Sequence, residues 1–220
     1  GDVLYDYSTE YIFSEDQKAV QPIYQAMKKI GYDAITLGNH DFDYGYEYIL
    51  NQIKNSGLSN VTVVSNVYDS KTSEPVWNEN LIITKKVTTN SGKTATVKVG
   101  VIGETIPKLS TKTESYLGVL KTEDIVESVK KQTSILKAKG ADVIVVLAHS
   151  GFGSEDADLN FKNVSYAITE IPEVDAVLCG HEHRIFPNED KTTTHYQLPG
   201  VDKDTSLVFL KLICMQISYG

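Results

Sequence analysis

Asp33-Ala34-Ile35-Thr36-Leu37-Gly38-Asn39-His40-Asp41 is an apolar run that breaks, at one glycine, into residues able to hold a cation or move a proton. Four to eight apolar residues closed by a turn former read as a buried strand. The same pattern returns twice: Asp142 to Leu147 runs into Ala148-His149-Ser150-Gly151, and Val174 to Cys179 runs into Gly180-His181-Glu182-His183. Helical spacing separates these strands. Ile23, Tyr24, Met27 and Ile30 follow Pro22 and stop at Gly31, and a second helix is predicted over Tyr46 to Lys54. A third, capped by Thr122, is predicted to run to Lys139 with Ile125, Val129 and Leu136 on one face, and Val164 to Ile171 reads as a short fourth. Asn60 to Val67 is a further strand. Leu81 to Val87 and Thr94 to Gly103 read as an antiparallel pair joined at Asn90-Ser91-Gly92, and Leu207 to Ile217 as the last strand. Strands alternating with helices predict an α/β layer architecture.

Composition narrows the function classes. The chain has 220 residues with 41% hydrophobic and 23% charged side chains, which is the make-up of a globular domain rather than a disordered one. No run reaches the roughly 20 apolar residues of a membrane helix. The net charge of −8 argues against a binder of nucleic-acid polymers, which needs a basic face. Two cysteines, Cys179 and Cys214, are too few for a disulfide scaffold, and Cys179 reads as a small core residue. The opening Gly1-Asp2-Val3-Leu4 carries no basic-then-apolar leader and reads as a mature or truncated start.

Four of the five histidines, His40, His149, His181 and His183, fall just past the carboxyl end of a predicted strand, the edge where ligands bind in open α/β sheets. Asp2 joins them if the chain ahead of it ends in a strand. Imidazole and carboxylate suit Zn, Mn, Fe, Co or Ni, and Asn39 adds a neutral carbonyl oxygen. Each residue alone has a plainer reading as a solvated or core side chain; their convergence on one sheet edge favours a metal site. His195, in a polar stretch, and Glu155, Asp156 and Asp158 read as solvated surface. Most of the thirteen tyrosines read as half-buried structural rings, while Tyr44, beside the His40 motif, is a candidate substrate contact.

These motifs resemble those of the calcineurin-like metallophosphoesterases. Gly1-Asp2 is similar to the family's GD motif, Gly38-Asn39-His40-Asp41 to GNH[D/E], Ala148-His149-Ser150 to its lone-histidine motif and Gly180-His181-Glu182-His183 to GHxH, in the family's order. The longer stretch Gly31 to Gly45 is similar to the 5′-nucleotidase branch, and His181-Glu182-His183-Arg184-Ile185-Phe186-Pro187 to the 2′,3′-cyclic-nucleotide 2′-phosphodiesterases with 3′-nucleotidase activity. The resemblance implies a four-layer α/β/β/α sandwich, truncated at both ends, and hydrolysis of nucleotide phosphate esters by a hydroxide activated between two divalent metal ions. It makes Asp2 the bridging ligand, Asn39, His149 and His181 the rest of one site, and His183 a ligand of the other. His40 would protonate the departing oxygen, with Asp43 orienting its ring. A small nucleotide is the implied substrate, and export to the periplasm, cell wall or medium the implied location.

The pattern also departs from the family. No DxH motif occurs, since no histidine precedes His40, so residues 1–220 are expected to lack the first strand that carries it. They are also expected to lack the C-terminal nucleotide-binding domain, whose aromatic clamp would be a partner from the same parent chain. The alternatives are a catalytically incomplete metal-binding domain and a nuclease of the same superfamily, the latter disfavoured by the charge. The apolar run Phe209-Leu210-Lys211-Leu212-Ile213 replaces an expected Gly/Pro-containing turn.

Overall fold

The computed structural model describes residues 1–110, 112–153 and 162–183, and the backbone of 212–214. The elements in chain order are α1 (Tyr7–Glu15), α2 (Pro22–Ile30), a 3-10 turn (Asn39–Phe42), α3 (Tyr46–Asn55), β1 (Val67–Asp69), β2 (Asn80–Thr88), β3 (Thr94–Thr105), β4 (Leu120–Thr122), α4 (Ile125–Ala138), β5 (Val143–His149), α5 (Ser165–Thr169), β6 (Ala176–Cys179) and β7 (Leu212–Cys214). Five strands form one mixed sheet in the order β2-β3-β5-β6-β7, in which the β2–β3 hairpin is antiparallel and the remaining pairs are parallel. β1 and β4 pair separately.

Apolar periodicity places the helices. α4 and α5 cover one face of the large sheet, where Ile125, Val129, Leu136 and Ile168 pack with Ile102, Ile144, Val146 and Val177. A second core joins α2, the 3-10 turn and α3 through Tyr24, Phe42, Ile49 and Ile53, packed on Ile35, Leu37 and Val64. The two layers touch at Gly103, where a Cβ would run into the Val63 carbonyl, so only glycine admits the approach. This is the layer order of the expected mixed α/β sandwich.

The strands expected at Ile35 and at Asn60 to Val67 are not ladders. Ile35 N–H donates to the Val61 carbonyl at 2.8 Å and Val63 N–H to the Ile35 carbonyl at 2.9 Å, a single parallel bridge. Val64 N–H then turns to the Asn78 carbonyl and Ser65 N–H to that of Gly103, while the Asn66 side chain takes both backbone groups of Thr105. The pairing passes from Ile35 to Asn78 and then to β3 within a few residues, so β-branched composition yields extended, buried backbone without a continuous ladder. Thr122 does not cap the long helix either. It ends β4, and the Asp124 carboxylate caps α4 by accepting from Glu127 N–H at 2.9 Å. Helix α1 was not anticipated: Tyr7 and Tyr11 on it are exposed and only Thr9 is buried, so it has little apolar period to read.

Beneath α4, Glu104 of β3 is fully buried. Its Oε1 accepts from Ser128 Oγ at 2.8 Å, and its Oε2 has no hydrogen-bond partner. Burial pushes this carboxyl well above the ordinary carboxylate range. His195, Glu155, Asp156 and Asp158, and most of the stretch Leu207 to Ile217, lie outside the described residues.

Candidate metal centre

Register brings the site together. In the large sheet Thr105 pairs with His149 and Ala148 with Cys179, so β3, β5 and β6 end at one edge, and Gly180 N–H continues the pairing to the Ala148 carbonyl at 3.2 Å. His181 and His183 follow with φ of 79° and 54°, left-handed values that non-glycine residues seldom adopt. Glu182 between them holds the turn by accepting from Phe152 N–H at 2.8 Å and Asn163 Nδ2 at 3.1 Å. Its carboxylate is committed to the scaffold, so the histidines on either side are the ones left to line the cavity.

From the other layer, Gly38 ends the Ile35 segment and opens the 3-10 turn that carries Asn39 and His40. A Cβ at Gly38 would collide with the Asp2 carboxylate and press on the His149 ring. His149 Nε2 lies 3.0 Å from Asn39 Oδ1 and 3.1 Å from Asp2 Oδ2, and its ring meets that of His181 edge-on at 5.1 Å. Asp2, His149 and His181 each direct a ligand atom to one point, these atoms lying within 4.8 Å of one another. Asn39 and His149 are buried. The remaining predicted ligand, His183, lines the same cavity of about 320 Å³ but stands outside that trio, its ring edge-on to Tyr5 at 6.2 Å.

Electrostatics favour a cation. Burial raises the Asp2 carboxyl, but the His149 ring and the His40 N–H outweigh it and hold the group at about 2. Burial, reinforced by the neighbouring His149, lowers His181 to about 4. Asp2 Oδ2 is buried and takes no hydrogen bond although an imidazole nitrogen stands beside it. An orphaned carboxylate oxygen among an amide oxygen and two imidazoles is a donor set for a borderline divalent cation, and these residues fit one.

A second group flanks the trio. His40 Nδ1 is 2.7 Å from Asp43 Oδ2, whose other oxygen accepts from Ser110 Oγ at 2.7 Å, and Lys112 Nζ stands 3.7 Å from Oδ2. The Tyr5 ring lies 4.1 Å from the His40 ring at 40°. Tyr44 packs against Phe13 and Tyr48, with the Lys112 ammonium 5.7 Å from its ring centre. Sequence reasoning missed Tyr5, Asp41, Ser110, Lys112 and Glu182. Only Asp41 and Glu182 carried a signal, as the charged residues inside the two histidine motifs.

Residues 1–184 match the family described as calcineurin-like phosphoesterase. The chain belongs to that family. This phosphoesterase-family chain is 35% identical over 191 residues to a Haemophilus influenzae protein named 2′,3′-cyclic-nucleotide 2′-phosphodiesterase/3′-nucleotidase, a match covering 86% of the chain and 28% of that protein. It is 32% identical over 196 residues to the trifunctional nucleotide phosphoesterase protein YfkN of Bacillus subtilis, covering 86% of the chain and 13% of the relative. The crystal structure of the B. subtilis calcineurin-like phosphoesterase YfkN superposes with a TM-score of 0.81 at 26% identity, covering 96% of this chain and 64% of that one. The phosphoesterase-family chain thus spans under a third of the length of these curated relatives. Among the described residues, no helix is long and apolar enough to cross a membrane.

Proposed function

We propose that these residues form the metal-binding and proton-donating part of a hydrolase of nucleotide phosphate esters, acting on 2′,3′-cyclic nucleotides or nucleoside monophosphates. The observation that carries the reading is the convergence of Asp2, His149 and His181, with Asn39 beside them, next to a separately supported His40. The names of the relatives support the nucleotide as substrate class.

Asp2, Asn39, His149 and His181 hold one divalent ion in this reading, drawn from Mn, Zn, Fe, Co or Ni, and Asp2 and His183 contribute to a second. Bound cations of this kind neutralise phosphate oxygens and acidify a water molecule. The chain's own residues do the rest. Asp43, fixed by Ser110 and flanked by Lys112, accepts the Nδ1 proton of His40. That interaction sets the ring orientation and leaves Nε2 as the nitrogen that gives a proton to the departing ester oxygen. Tyr5 stacks on His40 and limits its swing. Tyr44 stands at the edge of this group and contacts substrate there. The other ligands of the second ion and a base-binding domain belong, in this reading, to a longer parent protein that works in the periplasm, cell wall or medium.

The test is metal stoichiometry by elemental analysis of the purified chain after dialysis against Mn²⁺ and then Zn²⁺. About one ion per folded chain, lost in His149→Ala, is the expected result. A folded chain that retains no ion overturns the metal-binding reading. A metal-loaded parent protein that cleaves no phosphate mono- or diester overturns the hydrolase reading.

A further inference from the structure

The Asp41 side chain is bonded to Asp2, Val3, Leu4, Gly38 and Tyr24 rather than to the histidines, yet it is the most heavily bonded side chain near them. It is fully buried. Its Oδ2 accepts from Asp2 N–H at 3.0 Å and from Gly38 N–H at 2.8 Å. Its Oδ1 accepts from Val3 N–H at 3.0 Å, Leu4 N–H at 3.2 Å and the Tyr24 hydroxyl at 3.3 Å. Three successive N–H groups converge on one carboxylate because Asp2 holds φ at 58°. Left-handed backbone of this kind folds consecutive amides into a concave anion site, and here the anion is a side chain of the same protein.

The arrangement is reciprocal. While Asp41 grips the backbone of Asp2, the backbone N–H of His40, one residue before Asp41, donates to Asp2 Oδ1 at 2.7 Å. Asp2 is therefore held at both ends: by its own amide through Asp41, and by its carboxylate through His40. Its second oxygen, Oδ2, is left facing His149 without a hydrogen bond. Nothing else in the described residues ties Asp2 N–H and Gly38 N–H to one atom, and those two residues are the ones whose backbones touch beneath the site.

We propose that Asp41 is the positioning residue for Asp2: its carboxylate, by gathering the Asp2, Val3 and Leu4 amides, imposes the left-handed backbone at Asp2 and so aims Asp2 Oδ2 at the point shared with His149 and His181. The metal consequence rests on the reading given under Proposed function; the placement of Asp2 does not.

Asp41→Asn keeps the size of the side chain and replaces one acceptor oxygen by an NH₂ that cannot receive the converging amides. The experiment is amide hydrogen exchange by NMR on the wild-type chain, Asp41→Asn and Asp41→Glu, with Co²⁺ titration followed by its visible absorption. The Val3, Leu4 and Gly38 amides are expected to lose protection in Asp41→Asn through the direct bonds. The informative amide is that of His40, which does not bond Asp41 and is expected to lose protection because its acceptor, Asp2 Oδ1, moves. Co²⁺ affinity is expected to fall by about 10- to 100-fold, the range seen when a group supporting a metal ligand is removed. Asp41→Glu, which keeps the charge and displaces it, is expected to fall between. Ile49→Val, buried in the same core without a bond to the site, controls for general loss of stability.

An unchanged His40 amide and unchanged Co²⁺ affinity in Asp41→Asn would overturn the proposal and leave Asp41 as a fold-stabilising residue. Should Asp41→Asn fail to fold, Asp41→Glu decides by the same two readouts. A wild-type chain that takes up no Co²⁺ refutes the metal reading alone, and the His40 amide still decides the role of Asp41.

Discussion

Replacing Glu104 by Gln removes a proton from the folding equilibrium and little else. Glu104 is fully buried under α4, bonded to Ser128 Oγ through Oε1 and unpartnered at Oε2, and burial holds its carboxyl well above the ordinary range. The folded chain therefore keeps a proton there that the unfolded chain gives up above a pH of about 4.3. With one more proton bound when folded, stability falls as pH rises, at about 1.4 kcal/mol per pH unit, from the ordinary carboxylate range up to the raised folded value. At low pH, where both states are protonated, the term vanishes. Gln is isosteric and accepts the Ser128 hydroxyl through its amide oxygen, so it has the same packing and no slope from this site. Its NH₂, at the unpartnered position, adds a cost that does not vary with pH. Urea unfolding of both proteins at several pH values upward from the ordinary carboxylate range reads the difference, and the variant is expected to gain on the wild type by up to about 1.4 kcal/mol per unit until the raised folded value is passed. Comparing the two cancels every other titrating group. Parallel stability curves would refute the reasoning, because they would mean that Glu104 reaches solvent or a cationic partner and ionises in place.

Three other outcomes are expected. Gly38→Ala places a methyl against the Asp2 carboxylate and His149, and is expected to cost about 1–3 kcal/mol in thermal unfolding and to weaken Mn²⁺ binding in calorimetry. On the proposed reading, Asp43→Ala is expected to leave Mn²⁺ affinity unchanged while lowering the metal-loaded parent protein's turnover of a nucleoside 2′,3′-cyclic phosphate by about 10²-fold or more, since it frees His40 without touching the trio. Asp124→Ala removes the cap of α4 and is expected to cost about 1 kcal/mol in urea unfolding with no change in metal binding.

The parts of this molecule legible from its sequence are those where one residue's chemistry or one period decides the outcome. Gly31 and Gly140, both with positive φ, end helices because few other residues take that backbone, and Pro22 starts α2 for the converse reason. The placement of His149 at the end of β5, and of His181 and His183 just past β6, was legible because an apolar run that closes on polar residues marks the carboxyl edge of a strand. Partner choice was not legible. Val61 to Asn66 looks like a strand from its side chains, yet its hydrogen bonds are shared among several separate segments, Ile35, Asn78 and β3 among them. Thr122 and Asp124 are both good caps, and the pairing of Leu120–Thr122 with Val67–Asp69 decides between them. Tyr5, Ser110 and Lys112 reach His40 and Asp43 only through tertiary folding, and no spacing announces it.

The ligands of the candidate centre are scattered along the chain. Asn39 and His149, side by side in the fold, are 110 residues apart in the sequence. Closing loops of that length before any contact rewards them is slow, and each closure carries an entropy that grows with the logarithm of its length. Until the layers meet at Gly103, Asp2, His149 and His181 are solitary side chains with little hold on a cation. A tightly held ion would thus be evidence that the whole chain had finished folding. By mass action, the concentration of the ion would in turn set how often the finished chain reopens.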